Sequence, residues 1–177
     1  FVKAEWSRKL SKLRIAGIIG ESIVDGPGIR LVVFAQGCNH YCKGCHNPKT
    51  FDINGGYEIE IDEVLKQVRK NPILKGVTFS GGEPFLQAMA FFKLAKLIHS
   101  EGLDVISYTG YTFEELLKGL DKNPYWSLLL ENIDILIDGP FIEAEKSLIT
   151  KFRGSKNQRI LDAKRSLFEK KAIEIEL

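Results

Sequence analysis

An α/β fold, a single-domain, partial and open parallel α/β barrel, is what this 177-residue chain predicts. Three observations lead there. Short apolar runs rich in β-branched residues recur along the chain, amphipathic helical patterns separate them, and the alternation stops well before eight units. Strands alternating with helices imply a parallel sheet with right-handed crossovers. Four such units plus an N-terminal strand are too few for a closed eight-fold barrel. A doubly wound sheet is the rival arrangement.

The first strand is expected near residues 14–19. The core runs are Leu31-Val-Val-Phe34, Val77-Thr-Phe79, Leu103-Asp-Val-Ile-Ser107 and Ile133-Asp-Ile-Leu-Ile137, each short enough for a strand and mostly too apolar for one wet face. Asn54-Gly-Gly56 before the alternating Tyr57-Glu-Ile-Glu-Ile61 reads as a turn into an edge strand or extended arm. Ile61, Val64, Leu65 and Val68 then fall on one helical face. Asp62 and Glu63 open that stretch, Arg69 and Lys70 close it, and Asn71-Pro72 stops it, which suits the helix dipole. Residues 85–98 are apolar almost all round, with Leu86, Met89, Phe92, Leu94, Leu97 and Ile98, as in a helix covered by other elements. His99 at its end reads as a surface or capping histidine. A third helix starts at Thr112, where Thr112 and Glu115 make a capping box and Phe113, Leu116, Leu117 and Leu120 form a stripe. No repeat, low-complexity tract or linker divides the chain, so one domain is expected over 1–177, with its core at 14–160 and peripheral termini.

The charge is balanced: 25 basic and 23 acidic side chains leave a net charge of +2. Neither a duplex-binding face nor a polybasic anchor is indicated, and direct nucleic-acid or membrane partners are not expected. A chain of this length buries about 70% of its unfolded surface and needs no disulfide scaffold. There is no run of 18 apolar residues and no charged-then-apolar leader. Three clustered cysteines point to a reducing interior, so a cytoplasmic location is expected.

All three cysteines fall within eight residues, Cys38-Asn-His-Tyr-Cys42-Lys-Gly-Cys45, just after the first core strand. This is the carboxyl end of a strand, where α/β folds keep their sites. Four identities compete. Cys42-Lys-Gly-Cys45-His46 matches the c-type haem pattern, but that reading requires export and an axial partner, and Met89, the only methionine, lies in an apolar helix. A zinc site would add His40 or His46 to the three thiolates. A redox dithiol at Cys42 and Cys45 leaves Cys38 unexplained. An iron–sulfur cluster takes thiolate ligands, and with three of them a [4Fe–4S] cube keeps one iron free of protein. A second feature, Ser80-Gly81-Gly82-Glu83-Pro84, follows the next core strand. Its glycines offer open backbone, and the helix behind it would aim its first N–H groups at a ligand. Read alone, it is an ordinary strand-to-helix turn.

Together the CxxxCxxC loop and the Gly-Gly-Glu strand end resemble the radical S-adenosylmethionine (SAM) enzymes. Asp25-Gly-Pro-Gly-Ile-Arg30, Cys45-His-Asn47 and Val77-Thr-Phe-Ser-Gly-Gly-Glu-Pro84 are similar to the glycyl-radical-enzyme activases. Tyr108-Thr-Gly-Tyr111, Ile137-Asp-Gly-Pro-Phe141 and Arg153-Gly-Ser-Lys-Asn-Gln158 resemble the branch that activates anaerobic ribonucleoside-triphosphate reductase. The likeness runs over 18–158. It implies a [4Fe–4S] cluster on Cys38, Cys42 and Cys45 with SAM on the free iron, Gly44, Cys45 and His46 against the adenine, and Gly81, Gly82 and Glu83 at the methionyl end. It carries Thr109 and Asp138 to a SAM or cation site, although Tyr108 stands where relatives hold an acid and Pro140 where many hold a lysine. The implied activity is reductive cleavage of SAM followed by hydrogen abstraction from a glycine Cα of the reductase, fed by a flavodoxin- or ferredoxin-type electron donor. No residue is expected to act as a general acid or base, because the hard chemistry belongs to the cofactors. Gly82→Val is expected to block the methionyl site and spare cluster assembly. An activase of pyruvate formate-lyase is the alternative within the class. Outside it stand a non-enzymatic iron–sulfur carrier and a zinc-binding module.

Overall fold

The computed structural model describes residues 12–177. Along them run strand β1 (Lys12–Ser22), β2 (Arg30–Ala35), β3 (Tyr57–Glu60), helix α1 (Ile61–Arg69), β4 (Gly76–Gly81), α2 (Ala88–Ser100), β5 (Asp104–Tyr108), α3 (Phe113–Gly119), α4 (Pro124–Glu131), β6 (Ile135–Asp138), β7 (Arg159–Asp162) and α5 (Ala163–Glu169). The seven described strands form one open sheet in the order β3-β1-β2-β4-β5-β6-β7. The four central strands are the parallel ones, β2 beside β4, β4 beside β5 and β5 beside β6. They are the four apolar runs of the sequence. The flanking strands differ from the all-parallel expectation: β1 and β7 run antiparallel to β2 and β6, and β3 runs antiparallel to β1.

Helices on one face or on both separates the two candidate architectures. Ile61, Val64, Phe91, Leu94, Phe113, Leu116, Leu129, Leu130 and Ala163, drawn from all five described helices, pack into one cluster with Leu31, Val33, Val77, Phe79 and Val105 of the sheet. The alternate residue Ile106, with Ile137 and Ile160, faces the other way and meets Tyr108, Phe152, Ile175 and Leu177. Helices outside and chain segments inside make the open barrel, and the doubly wound alternative is set aside.

Local chemistry accounts for the elements. Asp62 and Glu63 lie in the first turn of α1 and Lys66 and Arg69 in its last, which complements the helix dipole. Thr112 and Glu115 form the reciprocal capping box at α3, each accepting from the other's backbone N–H. Residues 85–98 depart from expectation. Pro84–Gln87 is a separate 3₁₀ turn, α2 starts only at Ala88, and Leu86 is exposed. The buried face of α2 is Ala88, Phe91, Leu94, Ala95 and Ile98, because the helix lies on one flank of the sheet instead of being enclosed. His99 is half-buried at the end of α2, with Nε2 2.8 Å from Asp134 Oδ2. The chain beyond 160 contributes to the interior: Leu161, Ala163 and Ser166 are fully buried, and Ile175 N–H donates to Ile160 O.

On the inner face sits a fully buried arginine. Arg30 donates from Nε to Thr78 Oγ1 at 2.7 Å, from Nη1 to Pro27 O at 3.3 Å, and from Nη2 to Val77 O at 3.1 Å and Asp104 Oδ1 at 2.5 Å. Thr78 in turn donates to Asp25 O. The Asp25-Gly-Pro-Gly segment is thereby pinned on the inner face near the amino ends of strands β2, β4 and β5.

Candidate functional site

A cavity of about 690 Å³ opens at the carboxyl ends of the parallel strands. Its wall includes Cys38, Cys42, Cys45, Ser80, Gly81, Gly82, Tyr108, Thr109 and Gly139, which come from the last residues of β4 and β5 and from the segments that follow β2, β4, β5 and β6. This is the position that open α/β folds give to ligands. Residues 147–154 form its far side, held there by Tyr108, whose hydroxyl donates to Phe152 O at 2.7 Å. Burial pushes the Tyr108 phenol well above its ordinary range, so it stays a neutral donor.

The thiol loop is closed at its base by the chain's own hydrogen bonds. Gly37 N–H donates to Thr50 O at 2.8 Å. The Gln36 amide donates to Lys49 O and Asp52 O at 3.0 and 2.6 Å. Within the loop, Cys45 N–H reaches Cys42 O, and Asn47 N–H points at Cys45 Sγ at 3.3 Å. Gly44 takes a left-handed φ of 73°, and a Cβ there would fall 2.9 Å from Glu143 Oε1. All three cysteines are free thiols and half-buried. Burial raises the Cys38 thiol above its ordinary pKa, so a cationic centre is what would make it a good thiolate.

A zinc ion in place of a cluster would add a histidine to the three thiols. His40 Nε2 is 2.7 Å from Glu83 Oε2, and the His46 ring meets Phe141 at a tilt of 48° with centroids 4.9 Å apart. Each thus has a partner of its own, a carboxylate for His40 and a ring for His46. Among the described residues no three histidine, cysteine, aspartate or glutamate side chains close on one point as a single ion demands. Three thiols from one loop, bordering one cavity, suit an inorganic cube whose irons take one thiolate each. The donor set fits a [4Fe–4S] cluster.

The glycine strand end has a different local logic from the one its sequence implies. Gly82 N–H donates to Ala35 O and Glu83 N–H to Gly37 O, each at 2.8 Å. A Cβ on Gly82 would lie 2.2 Å from Gly37 O, and one on Gly81 2.8 Å from Ala35 O. These glycines are demanded by the close approach of the thiol loop's base, with or without a ligand. The first N–H behind them is also spent, since Phe85 N–H donates to Glu83 Oε1 at 3.0 Å. Glu83 does not line the cavity. It is fully buried, accepting also from Thr109 Oγ1 and Gly110 N–H.

Of the remaining sequence candidates, Cys45, His46 and Thr109 line the cavity. Gly44 stands behind the wall against Glu143. Asp138 is turned away: it accepts from Phe113 N–H at 2.7 Å and from Arg159 Nε and Nη2 at 3.0 and 2.5 Å. Sequence reasoning missed Gln36 and the wall at 147–152, and it quoted Phe141 only as the end of a motif, without a role at the site. Gln36 sits beside the loop it closes, but a lone glutamine carries no pattern, and the 147–152 wall reaches the site only through the packing of a distant segment.

Residues 24–161 match the 4Fe-4S single cluster domain family. The chain is 35% identical over 147 residues to the anaerobic ribonucleoside-triphosphate reductase-activating protein of Vibrio cholerae, covering 78% of this chain and 90% of that one. It is 34% identical to the protein of the same name in Enterobacteria phage T4, covering 77% and 86%. It is 43% identical over 117 residues to the pyruvate formate-lyase-activating enzyme of Clostridium pasteurianum, covering 61% of this chain but spanning only 49% of that relative. The chain belongs to this 4Fe-4S family, within the radical SAM activases of glycyl-radical enzymes. Its cofactors are a [4Fe–4S] cluster and SAM. Among the described residues no helix is long and apolar enough to cross a membrane.

Proposed function

We propose that this protein activates anaerobic ribonucleoside-triphosphate reductase. The observation that carries the reading is extent: the match spans 90% of the Vibrio cholerae relative bearing that name, against 49% of the pyruvate formate-lyase-activating enzyme. The Arg153-to-Gln158 stretch, quoted from the sequence for this branch, also supports it, since Arg153, Gly154 and Gln158 border the cavity.

In this reading Cys38, Cys42 and Cys45 hold three irons of the cluster. Gly81 and Gly82 face the methionyl group, and Cys45 and His46 the adenine. Thr109 borders the same space, while Gly44, Glu83 and Asp138 support it from behind. When bound, the cofactors supply reductive cleavage of the sulfonium and abstraction of a hydrogen atom from a glycine Cα of the partner. The chain's own residues bind and shield. The Tyr108 hydroxyl, donating to Phe152 O, holds residues 147–154 along one side of the space the cofactors would fill. The partner's glycine must be held at about 3–3.5 Å between reacting atoms. A flavodoxin- or ferredoxin-type protein supplies the electron, and the cytoplasm suits the three free thiols.

Anaerobic incubation with reductant, SAM and either the reductase or pyruvate formate-lyase tests the assignment. A glycyl radical signal and 5′-deoxyadenosine are expected with the reductase. A radical on the lyase alone overturns it.

A further inference from the structure

Two features of the sequence are left over by the cofactor assignment: His40, between two thiols, and Gly110-Tyr111, just after β5. In the structure they meet. His40 Nε2 is 2.7 Å from Glu83 Oε2. That buried carboxylate also takes Thr109 Oγ1–H at 3.0 Å and Gly110 N–H at 2.9 Å. A carboxylate only accepts, so the imidazole donates from Nε2.

The ring has a shaped seat. It stands edge-on to Tyr111, with centroids 4.4 Å apart, and the Tyr111 hydroxyl accepts from Asn39 Nδ2 at 2.7 Å. A Cβ built on Gly110 would fall 2.4 Å from His40 Cδ2. Gly110 is not among the glycines with positive φ, so what bars an alanine at 110 is the imidazole and not the backbone.

We infer that His40 is a positioning residue, latching the thiol loop to the strand end that receives the methionyl group, and that Gly110 is glycine in order to seat it. Glu83 is the shared anchor. Its N–H holds Gly37 O, one residue before Cys38, and its carboxylate holds His40, two residues after it. Cys38 is therefore bracketed from both sides by the residue next to Gly82. Without the latch, the thiols and the methionyl receptor are free to shift relative to each other. Misplacement of about 1 Å costs on the order of 100-fold in a reacting geometry. Partners one shell out from a metal are typically worth about 10- to 100-fold.

The inference rests on the cofactor placement proposed above, and its test is independent of which enzyme is activated. Wild type, His40→Ala, His40→Gln, Gly110→Ala and the double variant His40→Ala/Gly110→Ala are reconstituted anaerobically. Iron and sulfide content, equilibrium affinity for SAM, and the change in the reduced cluster's electron paramagnetic resonance spectrum on adding SAM are measured. SAM affinity is expected to fall about ten-fold in His40→Ala and in Gly110→Ala. His40→Gln, whose amide N–H can reach Glu83, should recover most of it. In the double variant Gly110→Ala should cost nothing further, because the ring it would strike is gone. Equal cost of Gly110→Ala with and without the imidazole overturns the latch, as does an unchanged affinity and spectral response in His40→Ala. If His40→Ala loses the cluster itself, Gly110→Ala must lose it too while His40→Gln keeps it, and any other pattern overturns the inference. A wild type that binds neither cluster nor SAM overturns the cofactor placement and the latch together.

Discussion

Gly82 and Gly37, on neighbouring strand ends, stand so close that a Cβ on Gly82 would lie 2.2 Å from the Gly37 carbonyl oxygen. The Gly-Gly-Glu turn and the thiol loop are in this sense one packed unit. Substitution at one is felt at the other, and the first prediction reverses the sequence expectation for this position. Gly82→Val should lower iron content as well as SAM affinity, since the new side chain must push Gly37, and Cys38 with it, out of place. Iron per chain after anaerobic reconstitution checks this; full iron with SAM binding alone impaired would return Gly82 to a purely ligand-facing role.

Cys42→Ala should lose stable cluster and SAM cleavage yet keep the fold. Cys42 lies on the cavity wall, while the buried cluster of sheet and helix residues excludes the cysteine loop. Circular dichroism and denaturant unfolding should match wild type within about 0.5 kcal/mol, as for changes outside the core. Full iron and sulfide in this variant would remove Cys42 from the ligand set.

Arg30→Met should destabilise the protein by about 3 kcal/mol, because it strips buried and half-buried acceptors of a charged donor. The losses are at Thr78 Oγ1, Val77 O, Pro27 O and Asp104 Oδ1. The Asp25-Gly-Pro-Gly segment should loosen at the same time. Denaturant unfolding of the apoprotein measures the first effect and limited proteolysis the second. A loss under about 1 kcal/mol would show that the guanidinium's desolvation cost cancels its bonds.

Asp134 ties three elements together, accepting from Val105 N–H at 2.8 Å, Lys164 Nζ at 2.5 Å and His99 Nε2 at 2.8 Å. Burial alone would raise its carboxyl, but these donors more than offset that and hold it below the ordinary value. A depressed folded pKa means stability that is present above the unfolded value and lost as pH falls through the folded one. Asp134→Asn should therefore be about 1–2 kcal/mol less stable at neutral pH. The gap to wild type should close below about pH 4, where the unfolded carboxyl protonates. Urea unfolding at both pH values checks the sign; a gap that widens in acid refutes it.

The central strands, α1 and α3 are legible in the chain because their causes are local: unbroken apolar runs for strands β2, β4, β5 and β6, a four-residue stripe with charged ends for α1, and a capping box for α3. Helices α4 and α5 and strand β7 were not. Pro124-Tyr-Trp-Ser-Leu-Leu-Leu-Glu131 has too continuous an apolar character to show its period, and Arg159–Asp162 is a strand only because β6 and the C-terminal segment pair with it.

The thiol spacing and the glycine turn are legible in the chain itself, since ligands for one inorganic centre can be supplied by eight consecutive residues. What surrounds them could not be read that way. His40 and Glu83 are 43 positions apart, and their meeting depends on β4 lying between β2 and β5 in the sheet. The same strand order places Gly110 under the imidazole and puts Gly82 against Gly37. Periodicity and spacing describe a segment's own conformation, whereas the contacts that set the cavity's geometry come from the order and register in which separate segments pack.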